Sequence, residues 1–561
     1  MANEALLIYK KLGFQIESDW AQGTITAATK LLALREAGII LGLNRQLITP
    51  QRISGRASVK QSYLGTYAPK FTIPTFAYPN GLAPKLLKLA FGQVSSAEVA
   101  SFTVVAHTVF TVTLNTNDYI DFIEGSGSAK AAQLTAGTYT AFELCTEIKT
   151  RLEAANDSAV TYTVTFSTST KKFTITPSAS TIDLLWNSGT NNAKAADTLL
   201  GFSTDVTASA AATSAVAVTY AAANDAIDLT EDAGSEITVF LTAGTYKAGA
   251  TSSDAGTLCA LIKTVIEAGN GSATYTVAFS TTTKMFTITK NSGVFVLKAL
   301  TGENHSGGAG TLLGFAADSA SAIAATSDTA TEIVYDHTFT PKDDIPYGMS
   351  AGMTAQVSLA TGKIFDVLDC VIDTLKLSYK PNQELWIDAE CEARAISDSV
   401  ATLSALTEET VSPLLFSQLV FQVGGSAHAL TSLEISYGNN LKKDLFVNSE
   451  SRSRFPRNGF REVKGTFTLD LADSQAYAIY SAFLAGTQPA LIATFTGAAS
   501  GIKTGFAYTI TATLPKVQYN LESVPGSGGA ATPDAPIPFV ALDDGSIGEI
   551  RIVVRNNEAS V

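Results

Sequence analysis

Alternating apolar and polar positions predict the same β-hairpin at two places in this 561-residue chain. The segment TYTVTFSTSTKKFTIT begins at Thr161, and TYTVAFSTTTKMFTIT begins at Thr274; they are identical at 13 of 16 positions. In both, apolar residues recur at every second position, which is the period of a strand with one buried face. The upstream helical stripes are Leu144, Cys145, Ile148 and Leu152, and then Leu258, Ile262, Val265 and Ile266. Because a lone hairpin is marginal in water, we expect each helix to pack on its hairpin in a small α+β domain of the order strand–strand–helix–hairpin.

The likeness between the two regions extends beyond the hairpins. NDYID at 117–121 corresponds to NDAID at 224–228, and TLLGF at 198–202 recurs at 311–315. The repeated region is therefore about 100 residues long, which is the size of a domain and too long for one unit of a solenoid.

Two stretches rich in Ala, Ser and Thr follow the TLLGF segments. They cover residues 207–218 and 318–332, and their composition is typical of linkers. We therefore predict two duplicated inserted domains, the first repeat at 102–209 and the second repeat at 210–331.

The flanking regions, 1–101 and 332–561, predict one further β domain into which the repeats are inserted. Basic residues mark a strand over 51–65. A short amphipathic helix is expected to start after Pro79-Asn80, with Leu82, Leu86, Leu87 and Phe91 on its apolar face, and another short helix is expected at 474–487. GRASVKQSYLG followed by LKLAFG has an echo in GFREVKGTFTLDL followed by SAFLAG. This echo suggests that the domain consists of two related halves.

Charge and composition exclude several classes of function. The net charge is −13; residues 102–331 carry −9 of it, with 11 Lys/Arg against 20 Asp/Glu, and the flanks carry the remaining −4. An acidic chain is poorly suited to gripping phosphates. The four histidines have no metal-ligand spacing, and no nucleophile elbow, P-loop or dinucleotide fingerprint occurs, so we expect no enzyme, no cofactor and no metal. Cys145 and Cys259 lie on the apolar helix stripes and are expected to be buried thiols.

The amino-terminal residues lack the basic and apolar regions of a secretory signal, and no apolar run has the length of a membrane span. We expect a soluble product of the cytosol, without membrane insertion.

Two polar features of the repeats leave alternatives open. The NDxID segments place two carboxylates in each repeat, either on a solvated strand face or in a calcium site. Four tyrosines could pack in the repeat cores or form a glycan-binding surface: Tyr139, Tyr162, Tyr246 and Tyr275.

The strongest cluster of positive charge lies between 442 and 464. Its members are Lys442, Lys443, Arg452, Arg454, Arg457, Arg461 and Lys464. Three interpretations remain open: a solvated loop, contacts with carboxylates of a neighbouring subunit, and direct binding of DNA. The first six of these residues are the candidate inter-subunit contacts.

Several segments of the flanks resemble tail tube proteins of long-tailed bacteriophages. ITPQRISGRASVKQSYLG and GLAPKLLKLAFG are similar to the first half of that family, where a Gly-Arg strand precedes a helix ending in a Phe-Gly turn. DVLDCVIDTLKLSYKPNQELWIDAECEARA resembles the hairpin that follows, and RFPRNGFREVKGTFTLDL resembles the later basic loop and strand. The insertion at 102–331 departs from the family's pattern.

The resemblance implies a mainly-β subunit, a sandwich or barrel with short flanking helices. It also implies a structural virion protein whose six-fold rings stack into a tube, together with terminator, tape-measure and baseplate proteins. DNA would pass through the lumen without specific binding. The chain would be made in the host cytoplasm and reside in the virion tail, with the repeats as external decoration. The alternative is a tail-tip or fibre module that recognises a host-surface glycan.

Overall fold

A computed structural model describes residues 11–16, 40–49, 62–156, 159–271, 273–342, 353–358, 364–398, 411–470, 476–521 and 534–561. The chain divides into two compact units, Met1–Val99 with Val334–Val561, and Ala100–Ile333. We call them the core unit and the inserted unit. Strands predominate in both, and the helices described are short, so the expected mainly-β fold is confirmed.

The first part of the core unit, where it is described, contains six strands and one helix. They are β1 Lys11–Ile16, β2 Ile40–Gly42, β3 Arg45–Ile48, β4 Tyr63–Tyr67, β5 Lys70–Phe76, α1 Leu82–Phe91 and β6 Gly92–Val99. Helix α1 contains all four apolar residues of the helix that was expected to start after Asn80. Most of the strand expected over 51–65 lies outside the described residues.

The inserted unit consists of short strands and helices. The first group is β7 Phe102–Val104, β8 Phe110–Val112, β9 Tyr119–Glu124, β10 Lys130–Gln133, β11 Gly137–Tyr139, α2 Ala141–Ala155, β12 Tyr162–Ser167, β13 Lys172–Pro177, β14 Ile182–Leu184, α3 Asp197–Leu200, β15 Val206–Ser209 and β16 Ala212–Thr213. The second group is β17 Ala226–Glu231, β18 Glu236–Phe240, β19 Gly244–Tyr246, α4 Leu258–Asn270, β20 Tyr275–Ser280, β21 Met285–Lys290, β22 Phe295–Leu297, α5 Gly310–Leu313 and β23 Ala324–Thr326.

The rest of the core unit is again mostly strands, with one helix among its described residues. The elements are β24 Val334–Pro341, β25 Met353–Ser358, β26 Ile364–Tyr379, β27 Trp386–Glu392, β28 Ala395–Asp398, β29 Leu419–Val423, β30 Ser426–His428, β31 Leu430–Gly438, β32 Glu462–Asp470, α6 Ala476–Leu484, β33 Leu491–Thr496, β34 Thr509–Leu514, β35 Val517–Tyr519, β36 Asp534–Ala541 and β37 Arg551–Asn556. Helix α6 falls inside the helix expected at 474–487, of which 474 and 475 lie outside the described residues.

Two large sheets organise the core unit. The first has the order β2-β5-β27-β26-β31-β32-β36-β35, with β1, β25 and β28 joined to it through β26. The second has the order β30-β29-β33-β34-β37-β24-β6. The core between them is one apolar cluster, to which strands of both sheets and helix α1 contribute. The core unit is therefore a two-sheet structure flanked by short helices.

Helix α1 is almost wholly apolar and almost wholly buried. Its end is set by Gly92, which has a φ of 79° and whose N–H bonds to the carbonyl of Lys88. Only glycine adopts this left-handed conformation without a steric cost. Phe91, the last helical residue, stacks on Tyr437 of β31 with ring centroids 4.4 Å apart. The helix is thereby packed against the first sheet.

Each repeat of the inserted unit packs one helix on one hairpin, in the expected order. Helix α2 begins with a capping box in which Thr140 and Glu143 satisfy each other's backbone N–H groups. Its apolar stripe, including the fully buried Ile148, faces hairpin β12–β13. Helix α4 and hairpin β20–β21 repeat this arrangement.

The second repeat contains a strand from the start of the insertion, which the sequence pattern did not indicate. Strand β8 pairs with β11, and Phe110 lies 5.6 Å from the ring of Phe173 in the first repeat's hairpin. Strand β7 instead pairs with β19, and Phe102 lies 5.6 Å from the ring of Phe286 in the second repeat's hairpin. Strand β7 therefore lies within the bounds predicted for the first repeat, 102–209, but packs with the second repeat.

The stretches expected to be linkers contain paired strands. Within 207–218, strand β15 pairs with β14 and β16 pairs with β13. Within 318–332, strand β23 pairs with β21. Small residues such as the buried Ala212 fit tightly against the hairpins here, so the composition reflects close packing at these positions.

Candidate assembly surfaces

The basic residues between β31 and β32 are held mainly by partners in their own chain. We call residues 439–461 the basic loop. Arg452 is only 5% exposed, and its Nη1 donates to Glu392 Oε2 at 2.6 Å. Lys443 Nζ lies 2.7 Å from Asp373 Oδ2 and 3.3 Å from Glu392 Oε1. Partial burial, the largest single influence, lowers the pKa of Lys443, but the hydrogen bonds and negative charges of Asp373 and Glu392 together outweigh it and raise the pKa.

Two further arginines attach the end of the basic loop. Arg461 Nη2 lies 3.0 Å from Glu549 Oε2, and its Nη1 donates to the Lys342 carbonyl at 3.0 Å. Arg457 Nη2 donates to the same carbonyl at 3.1 Å. Phe460, which lies between these two arginines in the sequence, is 96% exposed. The loop is therefore anchored by charge and presents an apolar ring.

The remaining candidate contacts are placed differently. Lys442 is half-buried, with its backbone N–H bonded to the Pro456 carbonyl, and Arg454 is exposed. The structure thus brings Lys443 and Arg452 together around Glu392, places Arg457 and Arg461 on one carbonyl, and leaves Lys442 and Arg454 outside both groups. Contact of these six residues with a neighbouring subunit stays a prediction.

An exposed apolar hairpin is a surface that the sequence pattern did not reveal. Strands β3 and β4 form a two-stranded sheet of their own. Its exposed side chains are Leu47 at 65%, Leu64 at 57%, Ile48 at 56% and Tyr63 at 44%. At the start of β3, the Arg45 guanidinium pairs with Glu450 of the basic loop. A cluster of exposed apolar side chains is typical of a protein-protein contact. The available signal was LITP followed by YLG, two short apolar runs that are separated in the sequence and meet only when the hairpin forms.

The large sheets also end in strands with one free edge in the described part of the chain. The main path of the first sheet ends at β2 and β35, and the second sheet ends at β30 and β6. On the outer edge of β35, the Val517 N–H is already bonded to the Pro489 carbonyl. Such edges carry N–H and C=O groups that another chain can pair with.

The carboxylates of the NDxID segments are buried, so the expectation of a solvated strand face is wrong. Asp118 is 0% exposed and Asp225 is 1% exposed. Their neighbours donate hydrogen bonds: Gln133 to Asp118, Asn191 to Asp121, His107 to Asp225, and Thr238 and Asn304 to Asp228. Burial raises the pKa of Asp228. Among the described residues, no group of three or more His, Cys, Asp or Glu side chains is arranged to hold a metal ion.

The four tyrosines are engaged within the repeats. Tyr162 and Tyr275 are buried, and their hydroxyls bond to Glu124 and Glu231. The hydroxyls of Tyr139 and Tyr246 donate to backbone carbonyls four residues earlier. Tyr139 also borders an open cleft of about 370 Å³, whose other walls include Glu143, Glu147 and Glu303. These contacts account for the tyrosines as structural residues.

All four cysteines are buried free thiols, as expected for Cys145 and Cys259. Burial raises the pKa of Cys145 to about 12. Such a thiol is protonated at neutral pH and unreactive.

These features define a structural protein of the assembling type, built on a two-sheet core with free sheet edges and an exposed apolar hairpin. Residues 249–541 match the model of the family described as phage tail tube protein, which covers just over half of the chain. The chain belongs to this family and is a component of the virion tail. The family is a structural one, and membership implies assembly with other tail subunits.

A search of curated proteins found no match. No helix in the described ranges is both long and apolar enough to cross a membrane.

Proposed function

We propose that the chain is the tail tube subunit, which forms closed rings that stack into the conduit for DNA ejection. Membership of the tail tube family is the observation that carries this proposal. The resemblance to tail tube proteins implies rings with six-fold symmetry.

A stacked tube requires two kinds of contact, one that closes each ring and one that repeats along the axis. The free strand edges of the core unit suit the first contact because backbone pairing continues a sheet from one chain to the next. The exposed β3–β4 hairpin suits the second contact, since Leu47, Ile48 and Leu64 would leave water on docking against another ring. Arg454 of the basic loop is exposed, and we assign it to a contact with a neighbour's carboxylates.

The electrostatics favour passage of DNA without specific binding. The most buried basic-loop cations, Arg452 and Arg461, are paired with carboxylates of their own chain. Residues outside 102–331 carry a net charge of −4, so the core unit has no excess of positive charge with which to hold phosphates.

The inserted unit would project outside the tube. A domain of 100 residues has a radius of gyration of about 13 Å, and each inserted unit holds two repeats of that size. A ring of such bodies would fill a channel that must also pass a DNA duplex. On the outside, their net charge of −9 would favour solubility and separation of neighbouring tails.

Synthesis in the host cytoplasm and contacts with terminator, tape-measure and baseplate proteins follow from the same proposal. The alternative, a tail-tip or fibre module that binds glycan, is less favoured because the four candidate tyrosines are occupied within the repeats.

Negative-stain microscopy of the purified full chain tests the proposal, with a glycan-array measurement on the same sample. We expect rings or long tubes and no glycan binding. Isolated particles at all protein concentrations, together with selective glycan binding, would contradict the tube and favour the alternative.

A further inference from the structure

The first sheet of the core unit contains the same strand order twice. Its path divides into β2-β5-β27-β26 and β31-β32-β36-β35. In each half, the first two strands are separated by a long segment, and the second strand leads into a helix. In each half, the fourth strand precedes the third in sequence, and all pairings are antiparallel.

One constant sequence offset relates the two halves over their first three elements. In the first half Leu41 pairs with Phe71, and in the second half Ile435 pairs with Gly465. The number of residues from Leu41 to Ile435 is the same as the number from Phe71 to Gly465. The same offset takes the helix-ending Gly92 to Gly486, and both glycines have positive φ, 79° and 65°. Strand pairs and a helix that keep one offset are the mark of a duplicated module. Of the echo between the two halves of the sequence, LKLAFG and SAFLAG keep this offset, whereas GRASVKQSYLG and GFREVKGTFTLDL do not.

The two modules meet within the chain at a defined junction. Strand β26 ends the first module's half-sheet, β31 begins the second's, and the two strands pair antiparallel, with Leu375 opposite Tyr437. Both side chains are buried, at 1% and 2% exposure.

The counterpart of Tyr437 lies at one free end of the same sheet. The constant offset relates Tyr437 to Leu43, the residue that follows strand β2. Tyr437 is buried at the junction, whereas Leu43 is 58% exposed.

The counterpart of Leu375 lies at the other free end. Ala389 of β27 stands between Ile73 and Leu375 in one row of the first module. In the second module, the offset takes Ile73 to Phe467, which pairs with Ile537 of β36. The next position in that row belongs to Leu521, because the backbone bonds of the β35–β36 ladder continue one residue beyond β35. Leu521 is only partly buried. The two free ends of the sheet therefore carry Leu43 and Leu521, the counterparts of the residues that face each other at the internal junction.

We propose that the sheet end of one chain at Leu521, just beyond β35, pairs with the sheet end of the next chain at Leu43, just beyond β2, and that this contact repeats the internal β26–β31 junction. The partner is a second copy of the same chain. A ring then contains half as many chains as modules, so a ring of six modules contains three chains. This inference rests on the proposed ring and deepens it by assigning the contact and the number of chains.

Cross-linking of full-length assemblies tests the contact. In the variant Leu43→Cys/Leu521→Cys, the two thiols face each other only across the junction between chains, since the four native cysteines are buried. A short bismaleimide should give covalent dimers and trimers, with the trimer as the largest product. The single variants should give no covalent oligomers. The control pair Leu43→Cys/Val216→Cys should give none either, although Val216 is about as exposed as Leu43.

Other results would contradict different parts of the proposal. Covalent products up to six chains would overturn the three-chain ring, and tubes without covalent products would overturn the junction. Both would leave the tube function standing. Failure of the wild-type chain to form rings or tubes would contradict the proposed function itself. If the double variant does not fold, the symmetry of wild-type rings decides: three inserted units around each ring support the inference, and six overturn it.

Discussion

Phe102 and Phe110 make the same contacts in different repeats. Each ring lies 5.6 Å and 6.4 Å from the two phenylalanines of one hairpin. Their sequence neighbours are alike, FTV in both cases, so local pattern could not assign them to different partners. The assignment depends on the pairing of β7 with the distant strand β19, which is a property of the folded chain.

Removing either ring should destabilise one repeat selectively. Phe102→Ala leaves a cavity at hairpin β20–β21, and Phe110→Ala leaves one at hairpin β12–β13, each at a cost of about 3–5 kcal/mol. Hydrogen exchange should accelerate mainly in the hairpin that loses its ring. Faster exchange of β12–β13 in Phe102→Ala, with β20–β21 unchanged, would contradict the pairing of β7 with β19.

Arg452 should matter far more for stability than an exposed lysine close to it. Arg452→Met removes the cation from the buried Glu392 and should cost about 3 kcal/mol, with Lys443 limiting the loss. The matched control, Lys464→Met, breaks a pair with Glu462 that is more than half exposed and should cost under about 1 kcal/mol. The measurement is native-state hydrogen exchange of β26 and β27. Equal effects of the two changes would show that Arg452 is not a stabilising residue.

Asp232 should make the second repeat sensitive to acid. Its hydrogen bonds from Lys290 and the Val294 N–H lower the pKa of Asp232. A carboxyl whose pKa is lower in the folded state stabilises the fold above its unfolded pKa of about 3.9, and this stabilisation is lost as the pH falls. Asp232→Asn should therefore flatten the fall in melting temperature between about pH 5 and about pH 2. Asparagine tolerates the φ of 46° at this position, so an unchanged slope would count against the ion pair.

At the scale of elements, the periodic segments could be predicted and the distant partners could not. Helix α1 was predicted from its apolar stripe, Leu82 to Phe91, because that stripe is local in the sequence. The carboxylates Asp121 and Asp228 were misplaced because the groups that satisfy them, Asn191 and Asn304, lie in distant parts of the sequence. The basic loop was visible as charge, but the carboxylates that neutralise it at Arg452 and Lys443 come from β26 and β27.

Hairpin β6–β24 should tolerate loss of the whole inserted unit. Val99 and Val334, where the inserted unit joins, are directly paired across this hairpin. Joining them with Asn-Gly after deleting residues 100–333 replaces the insertion by a two-residue turn that suits an antiparallel pair. We expect a folded core that still forms tubes, seen by electron microscopy. A soluble, folded product that never assembles would mean that the inserted unit takes part in assembly.

For the whole molecule, the sequence predicted the protein class, whereas the arrangement of the modules in the core unit became clear only from the structure. The tail tube resemblance came from strands and a helix spread over the flanks, and the family match covers 249–541. The repeat within the core unit was visible in the sequence only in the helix ends LKLAFG and SAFLAG, since the strand part of the echo is ten residues out of register with the structural repeat. Its evidence is strand order and one constant offset, and these require the pairings to be known.

The central claim is that this chain builds the wall of a tail tube. A cryo-electron microscopy map of tubes assembled from the full chain tests it most directly. If the chain forms the tube wall, the map will show stacked rings with a continuous β wall made of core units, an open bore, and the inserted units as knobs on the outer surface. A bore filled by the inserted units, or a chain that stays as isolated particles under all assembly conditions, would contradict it.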